Sequence, residues 1–250
     1  MKKILMLFAA CALLLPGLAL AAGAVVTTLT GMAQVQSGAA APRALRQGDE
    51  VQQGDTIITG RGASVVLKFD DGQIVGMTGD SRMQIRTYQY RPVQRTGSIL
   101  LSLLRGGMRA ITGLIGRNQP SSVHYRAATA TIGIRGTDVT IVTDDGGNVV
   151  VSVTEGAVTF TYGGTTITIP AGAAAYGADG KITQASAQAI FDRLPPALQE
   201  AVNGLIGLTD ALNQAGPGSP REGEPSPPPP PTPGSNVPPG NAGGGTSSSR

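Results

Sequence analysis

Side chains able to act as nucleophile, base or metal ligand are few in this sequence, and their spacing suits turns better than chemistry. Covalent catalysis usually needs a Ser, Cys or Thr beside a base, most often histidine. The chain has one histidine, His124, inside Ser122-Val-His-Tyr-Arg126, whose alternation reads as a strand. Its one cysteine, Cys11, stands in an apolar N-terminal run, so no disulfide or cysteine metal site is expected in the exported chain. Adjacent carboxylates occur twice, as Asp70-Asp71 and Asp144-Asp145, each followed by glycine. Aspartate is favoured in such breaks by turn geometry alone. The sequence contains no HExxH, P-loop, nucleophile elbow or EF-hand loop. An enzyme is therefore not expected, and no catalytic, cofactor-binding or metal-binding residue is assigned. Paired-carboxylate chemistry at the aspartates is the alternative left open.

Charge is the stronger signal. Between Ser81 and Thr137 there is no Asp or Glu but there are nine arginines, from Arg82 to Arg135, with Tyr88, Tyr90 and Tyr125 among them. Arginine's planar fork grips phosphate or carboxylate bidentately. Four-residue spacing puts Arg82 with Arg86 on one side of a strand, and Arg105 with Arg109 on one side of either a strand or a helix. These four are the candidate contacts to an anion or acidic partner, joined by Arg91, Arg95 and Arg117 if the fold gathers them. A scattered, solvated surface is the plainer alternative.

A second candidate is Thr129-Ala-Thr-Ile132-Gly133-Ile134-Arg135-Gly136-Thr137-Asp138. Alternation sets Ile132 and Ile134 on one face, and the glycines leave room for a bulge or close backbone approach. Arg135 is expected to be at least partly buried there, latching strands through Glu155 or Asp138. A ligand or partner contact is the other reading.

The elements that must position these residues are short and alternating. Val25–Gln36, Ser64–Phe69, Gln73–Thr78, Met83–Tyr88, Asp138–Thr143, Asn148–Thr154, Ala157–Tyr162 and Thr165–Ile169 read as strands. Asp70-Asp71-Gly72 and Asp144-Asp145-Gly146-Gly147 read as hairpin turns. With 36 glycines and many Val, Thr and Ile, this predicts an all-β domain, a sandwich, barrel or short β-solenoid. A weak repeat suggests two similar β units. Gly31-Met-Ala33-Gln-Val35 before Leu45-Arg-Gln-Gly48 matches Gly156-Ala-Val158-Thr-Phe160 before Ile169-Pro-Ala-Gly172.

The ends differ from the middle. Lys2-Lys3, the apolar run Ile4–Leu15, Pro16-Gly17 and Ala19-Leu20-Ala21 have the order of a secretory signal peptide over residues 1–21. Lipidation at Cys11 is the alternative. The run is too short for a permanent span, and no later segment has eighteen consecutive apolar residues, so no membrane span is expected in the mature chain. Removing Lys2 and Lys3 lowers the formal +3 to +1, which, with export, argues against nucleic acid. The expected organisation is a β domain over 24–185, an amphipathic helical segment over 186–213 and a Pro/Gly/Ser-rich disordered tail over 214–250. Ile190, Leu194, Leu198, Val202, Leu205, Ile206 and Leu208 carry the helical spacing.

Ala130-Thr-Ile-Gly-Ile-Arg-Gly-Thr137, Val151-Ser-Val-Thr-Glu155-Gly156-Ala-Val158 and Ile169-Pro-Ala-Gly172 together resemble the FecR-type periplasmic domain family. Gly48-Asp49, Gly54-Asp55-x-Ile57-x-Thr59 and Phe69-Asp70-Asp71-Gly72-Gln73-Ile74 are similar to that family's N-terminal half. The resemblance runs from Ala24 to about Ala178, with Ile134, Arg135, Gly136, Thr137, Glu155 and Gly156 as its signature. It implies a periplasmic interaction module. The family's namesake also carries a cytoplasmic anti-sigma segment and a membrane anchor, which this sequence does not match. The expectation is thus a periplasmic or secreted, non-catalytic protein-binding or signalling module whose partner is an envelope protein. The alternative is a structural envelope protein that binds an anionic envelope polymer through its arginines.

Overall fold

A computed structural model of the protein describes residues 23–216. The expected signal peptide lies outside them, as does the expected tail over 214–250 except for its first residues, where Gln214 ends a helix and Ala215 is buried. In chain order run β1 (Gly23–Thr30), β2 (Ala33–Ser37), β3 (Arg43–Ala44), β4 (Glu50–Gln52), β5 (Asp55–Thr59), β6 (Ser64–Phe69), β7 (Ile74–Met77), β8 (Arg82–Arg91) and β9 (Thr96–Ile111). A short helix, α1 (Leu114–Asn118), leads to β10 (Val123–Ala127) and β11 (Ala130–Thr143). Then come β12 (Val149–Tyr162), β13 (Thr165–Pro170), β14 (Ala173–Ala178) and β15 (Lys181–Ser186). Three helices end the described chain: α2 (Ala187–Phe191), α3 (Pro196–Ile206) and α4 (Thr209–Gln214). The fold is all-β with a short helical segment behind it.

Every ladder is antiparallel except β9–β10, so the sandwich expectation describes the pairing better than a solenoid of parallel strands. The ladders form two layers. Layer A runs β15-β14-β12-β11-β9-β7-β6-β1-β4. Layer B runs β13-β12-β11-β10-β9-β8-β5-β2-β3. Strands β9, β11 and β12 belong to both, one half in each. They change layer beside Gly106, Gly136 and Gly156, whose φ values of 84°, 61° and 78° are open chiefly to glycine. The crossing of β11 and β12 is tight: a Cβ on Gly156 would lie 2.1 Å from the Gly136 carbonyl oxygen.

Alternation decides what each layer buries. Leu67, Phe69, Val75 and Met77 of layer A face Ile57, Met83, Ile85 and Leu101 of layer B in one core. Their neighbours point the other way. On layer A many of those outward residues are apolar, and the terminal helices cover them. Val142, Val150 and Ala174 meet Ile190, Leu194, Leu198 and Leu205, while Val66 and Ile74 meet Leu212 and Ala215.

The repeat has a structural counterpart. After Gly31 (φ 73°) the chain forms β2 and β3 in layer B, then turns at Gly48 (φ 86°) into β4 of layer A. After Gly156 it forms the end of β12 and β13 in layer B, then turns at Gly172 (φ 79°) into β14 of layer A.

Three expected elements differ. The two strands expected over Asn148–Thr154 and Ala157–Tyr162 are one, β12, bent at Gly156. The single strand over Val25–Gln36 is two strands, because the Gly31 bend carries the chain between layers. The helical segment is three pieces, interrupted near Pro195-Pro196 and Gly207, and it leaves Ile206 62% exposed.

Candidate functional site

The two outer faces differ, because helices cover the centre of layer A while the outward side chains of layer B meet solvent. Register sets those of layer B in cross-strand rows. One row reads Gln84, Ser102, Arg126, Thr131, Thr161 and Thr166. The next reads Thr87, Leu100, His124, Gly133, Thr159 and Thr168. Neither row contains an acid. Beside them Arg86 donates from Nε to Ser102 Oγ at 3.2 Å, and Arg82 reaches Gln36 Oε1 at 3.5 Å. The Thr161 and Thr166 hydroxyls share a hydrogen bond at 2.8 Å. A hollow of about 470 Å³ opens where β9, β10 and β11 adjoin, with His124 and Arg126 on its wall.

The predicted arginines divide. Arg82 and Arg86 share the outer face of layer B, as their spacing requires. Arg105 and Arg109 do not share a face, because the Gly106 bend falls between them and carries β9 into layer A. Each has a carboxylate partner. Exposed Arg105 lies 3.3 Å from Asp145. Arg109 grips Asp138 bidentately, Nε to Oδ1 at 2.8 Å and Nη2 to Oδ2 at 2.6 Å, with the side chains only 14% and 12% exposed. Its Nη1 also donates to Thr209 Oγ1 of α4 at 3.0 Å. Hydrogen bonding to Asp138 is the main cause holding the guanidinium pKa above its usual range. Arg91, Arg95 and Arg117 are exposed at the β8–β9 turn and on α1, away from the two rows.

The latch expected of Arg135 therefore belongs to Arg109. Arg135 is exposed, as are Gly136, Glu155 and Gly156, while Ile134 and Thr137 are buried. The reason is the bend: past Gly136 the alternation resets, so Asp138 turns onto layer A and Arg135 stays on the outside of layer B. Thr137 is fixed from behind, its N–H donating to Thr112 Oγ1 at 2.8 Å.

The two aspartate pairs are turn residues, but Asp71 does more than shape its turn. It is buried between β6, β7 and α1. Its Oδ1 accepts from the Gln73 N–H at 3.1 Å, and its Oδ2 from the Ile115 N–H at 3.3 Å. The Tyr88 hydroxyl accepts from the Asp71 N–H at 3.0 Å, and the Tyr125 hydroxyl donates to Gln73 Oε1 at 3.1 Å. Burial pushes the Asp71 carboxyl above the ordinary carboxylate range against these hydrogen bonds. Burial, and then the Asp71 charge, push both phenols upward. Asp144 is a turn cap, with Oδ1 accepting from the Gly146 and Asn148 N–H groups at 2.9 and 3.0 Å.

Among the described residues no group of three or more His, Cys, Asp or Glu is placed to hold a metal ion. No helix there is long and apolar enough to cross a membrane. A family model described as FecR protein matches residues 55–159, from β5 into β12. Two structures of candidate anti-sigma factors from Parabacteroides distasonis are similar at 15% and 14% identity, with TM-scores of 0.43 and 0.45. They cover 52% and 61% of this chain, which spans 59% and 74% of theirs. A cell surface anchoring domain is 39% identical over 24% of this chain and 80% of its own, with a TM-score of 0.24. No curated protein matches the chain.

Proposed function

We propose that the chain, whose residues 55–159 match the FecR model, is a non-catalytic protein-binding module of periplasmic signalling, its partner docking on the outer face of layer B. One observation carries the choice of face. Terminal helices cover the centre of layer A's outer side, whereas layer B presents arginines, hydroxyls and amides with no acid in the two central rows. Such a face attracts an acidic surface and can satisfy it with directional hydrogen bonds. The domain match supports a protein partner; residues 1–21, with the order of an export signal, support placement in the periplasm.

Site-specific crosslinking tests the reading. A photoreactive residue at Thr159 or Thr168 should capture one discrete envelope protein in intact cells, and Arg82→Glu/Arg86→Glu should abolish the adduct. The same probe at Lys181, on β15 of layer A, should capture nothing. Capture from Lys181 with none from the layer B positions would transfer the interface to another surface. The acid-free rows also favour a second reading, an anionic envelope polymer. It predicts binding to the polymer alone that disappears at about 1 M salt, where exposed charges are screened within about 3 Å.

A further inference from the structure

The hollow on layer B is built differently from the face around it. His124 lies opposite Leu100 on one side and Gly133 on the other, and Arg126 lies between Ser102 and Thr131. The space a side chain at Gly133 would take is filled by the Thr159 hydroxyl. A Cβ there would come 2.6 Å from Thr159 Oγ1 and 3.8 Å from His124 Nδ1. Ser98, Ser121, Ser122 and Leu100 also line this open hollow. Some neighbouring polar side chains bond to protein, Arg86 to Ser102, Arg82 to Gln36 and Thr159 to the Gly133 carbonyl, while Gln84 and Thr168 of the same rows make no side-chain bond among the described residues. Ser98, Ser121, Ser122, His124, Arg126 and Thr131 make no side-chain hydrogen bond or ion pair among the described residues.

Uncommitted hydroxyls, an imidazole and a guanidinium thus converge on about 470 Å³, a volume within the range of small-molecule sites. The geometry points to a binding site for an acidic sugar: a phosphate or carboxylate held by Arg126, on a polyhydroxylated ring whose hydroxyls meet the serines, Thr131 and His124. Arg126 supplies the fork that matches an oxyanion. The hydroxyl groups both donate and accept, which suits a ring that does the same. Leu100 gives the ring an apolar floor. The site goes beyond the protein-partner reading and does not depend on it.

Calorimetric titration of the purified full chain tests it, with glucose 6-phosphate, glucuronate, glucose and inorganic phosphate as probes. At least one acidic sugar should bind ~10-fold or more tightly than both glucose and inorganic phosphate, since a charged hydrogen bond is worth about that factor. Which one wins distinguishes a phosphate from a carboxylate source. Arg126→Gln should weaken it ~10-fold or more, whereas Arg82→Gln, an equal loss of charge outside the hollow, should change it less than ~3-fold. In the wild type, amide shifts on titration should centre on Ser98, Ser122 and His124, a readout that needs no variant to fold. Equal binding of all four probes, equal effects of the two substitutions, or shifts centred elsewhere would each overturn the site. Because no partner protein is present, such a failure leaves the crosslinking result untouched, and the reverse also holds.

Discussion

Replacing Asp138 with alanine should destabilise the domain by about 3 kcal/mol, through a charge left stranded on the far side of the sandwich from the proposed docking face. The carboxylate takes two short hydrogen bonds from Arg109 at 2.8 and 2.6 Å, and both side chains are more than four-fifths covered. Breaking a fully buried pair by removing one partner costs about 3–5 kcal/mol, and an exposed pair is worth about 0–1. This pair lies near the buried limit, so the lower end of the first range applies. The stranded Arg109 keeps only the Thr209 hydroxyl at 3.0 Å. For a domain of this size the loss is a fall of roughly 6–12 °C in Tm. Urea unfolding gives the free energy directly, and m should be unchanged if the native state keeps its shape. Arg109→Met should cost a similar amount, and the double variant clearly less than the sum, by at least about 1.5 kcal/mol of coupling. A cost below about 1 kcal/mol for Asp138→Ala, or additive single effects, would refute the claim that this latch joins the crossing strands to α4.

The bend glycines should respond unequally. Gly136→Ala meets nothing within 4 Å and should cost only the left-handed backbone penalty, roughly 1–2 kcal/mol, whereas Gly156→Ala collides with the Gly136 carbonyl and should exceed about 3 kcal/mol; equal values from urea unfolding would contradict the crossing geometry. Asp71 should make stability depend on pH. Its folded pKa is raised, so the unfolded chain loses this proton first, and the associated stability is complete below about 3.9 and declines as pH rises through the folded value. Wild type minus Asp71→Asn should therefore be more favourable at pH 4 than at pH 7, and a difference constant with pH would show that Asp71 titrates normally.

Much of the architecture could be read from alternation. Ser64–Phe69 coincides with β6, and both Asp-Gly turns join strands as expected, because those segments bury one side and wet the other. β9 escaped notice for the opposite reason. Leu100 and Leu104 are apolar yet point outward, Leu104 being 46% exposed, so Ser98 to Leu104 shows no clean period. Periodicity also assumes a straight strand, and that assumption misplaced Arg105, Arg109 and Arg135, each next to or across a glycine bend from the residue it was grouped with. The Arg109–Asp138 pair joins positions far apart in sequence, which local spacing cannot show. For the hollow, the sequence showed only that Ser122–Arg126, with His124 inside it, forms a strand. What it could not supply were the neighbours, Leu100 and Gly133, brought alongside by a parallel ladder and a hairpin.

The three strands shared between layers also bear on how the molecule comes apart. A sandwich whose sheets are joined only by loops can split along its core like the halves of a shell. Here that seam is stitched three times by continuous backbone, at Gly106, Gly136 and Gly156, and pulling one sheet away drags half of β9, β11 and β12 out of the other. Core amides on both sheets should then open together in hydrogen exchange, as one cooperative unit and not two. A tug on a partner held by one sheet would reach the opposite sheet through peptide bonds, without relying on side-chain friction.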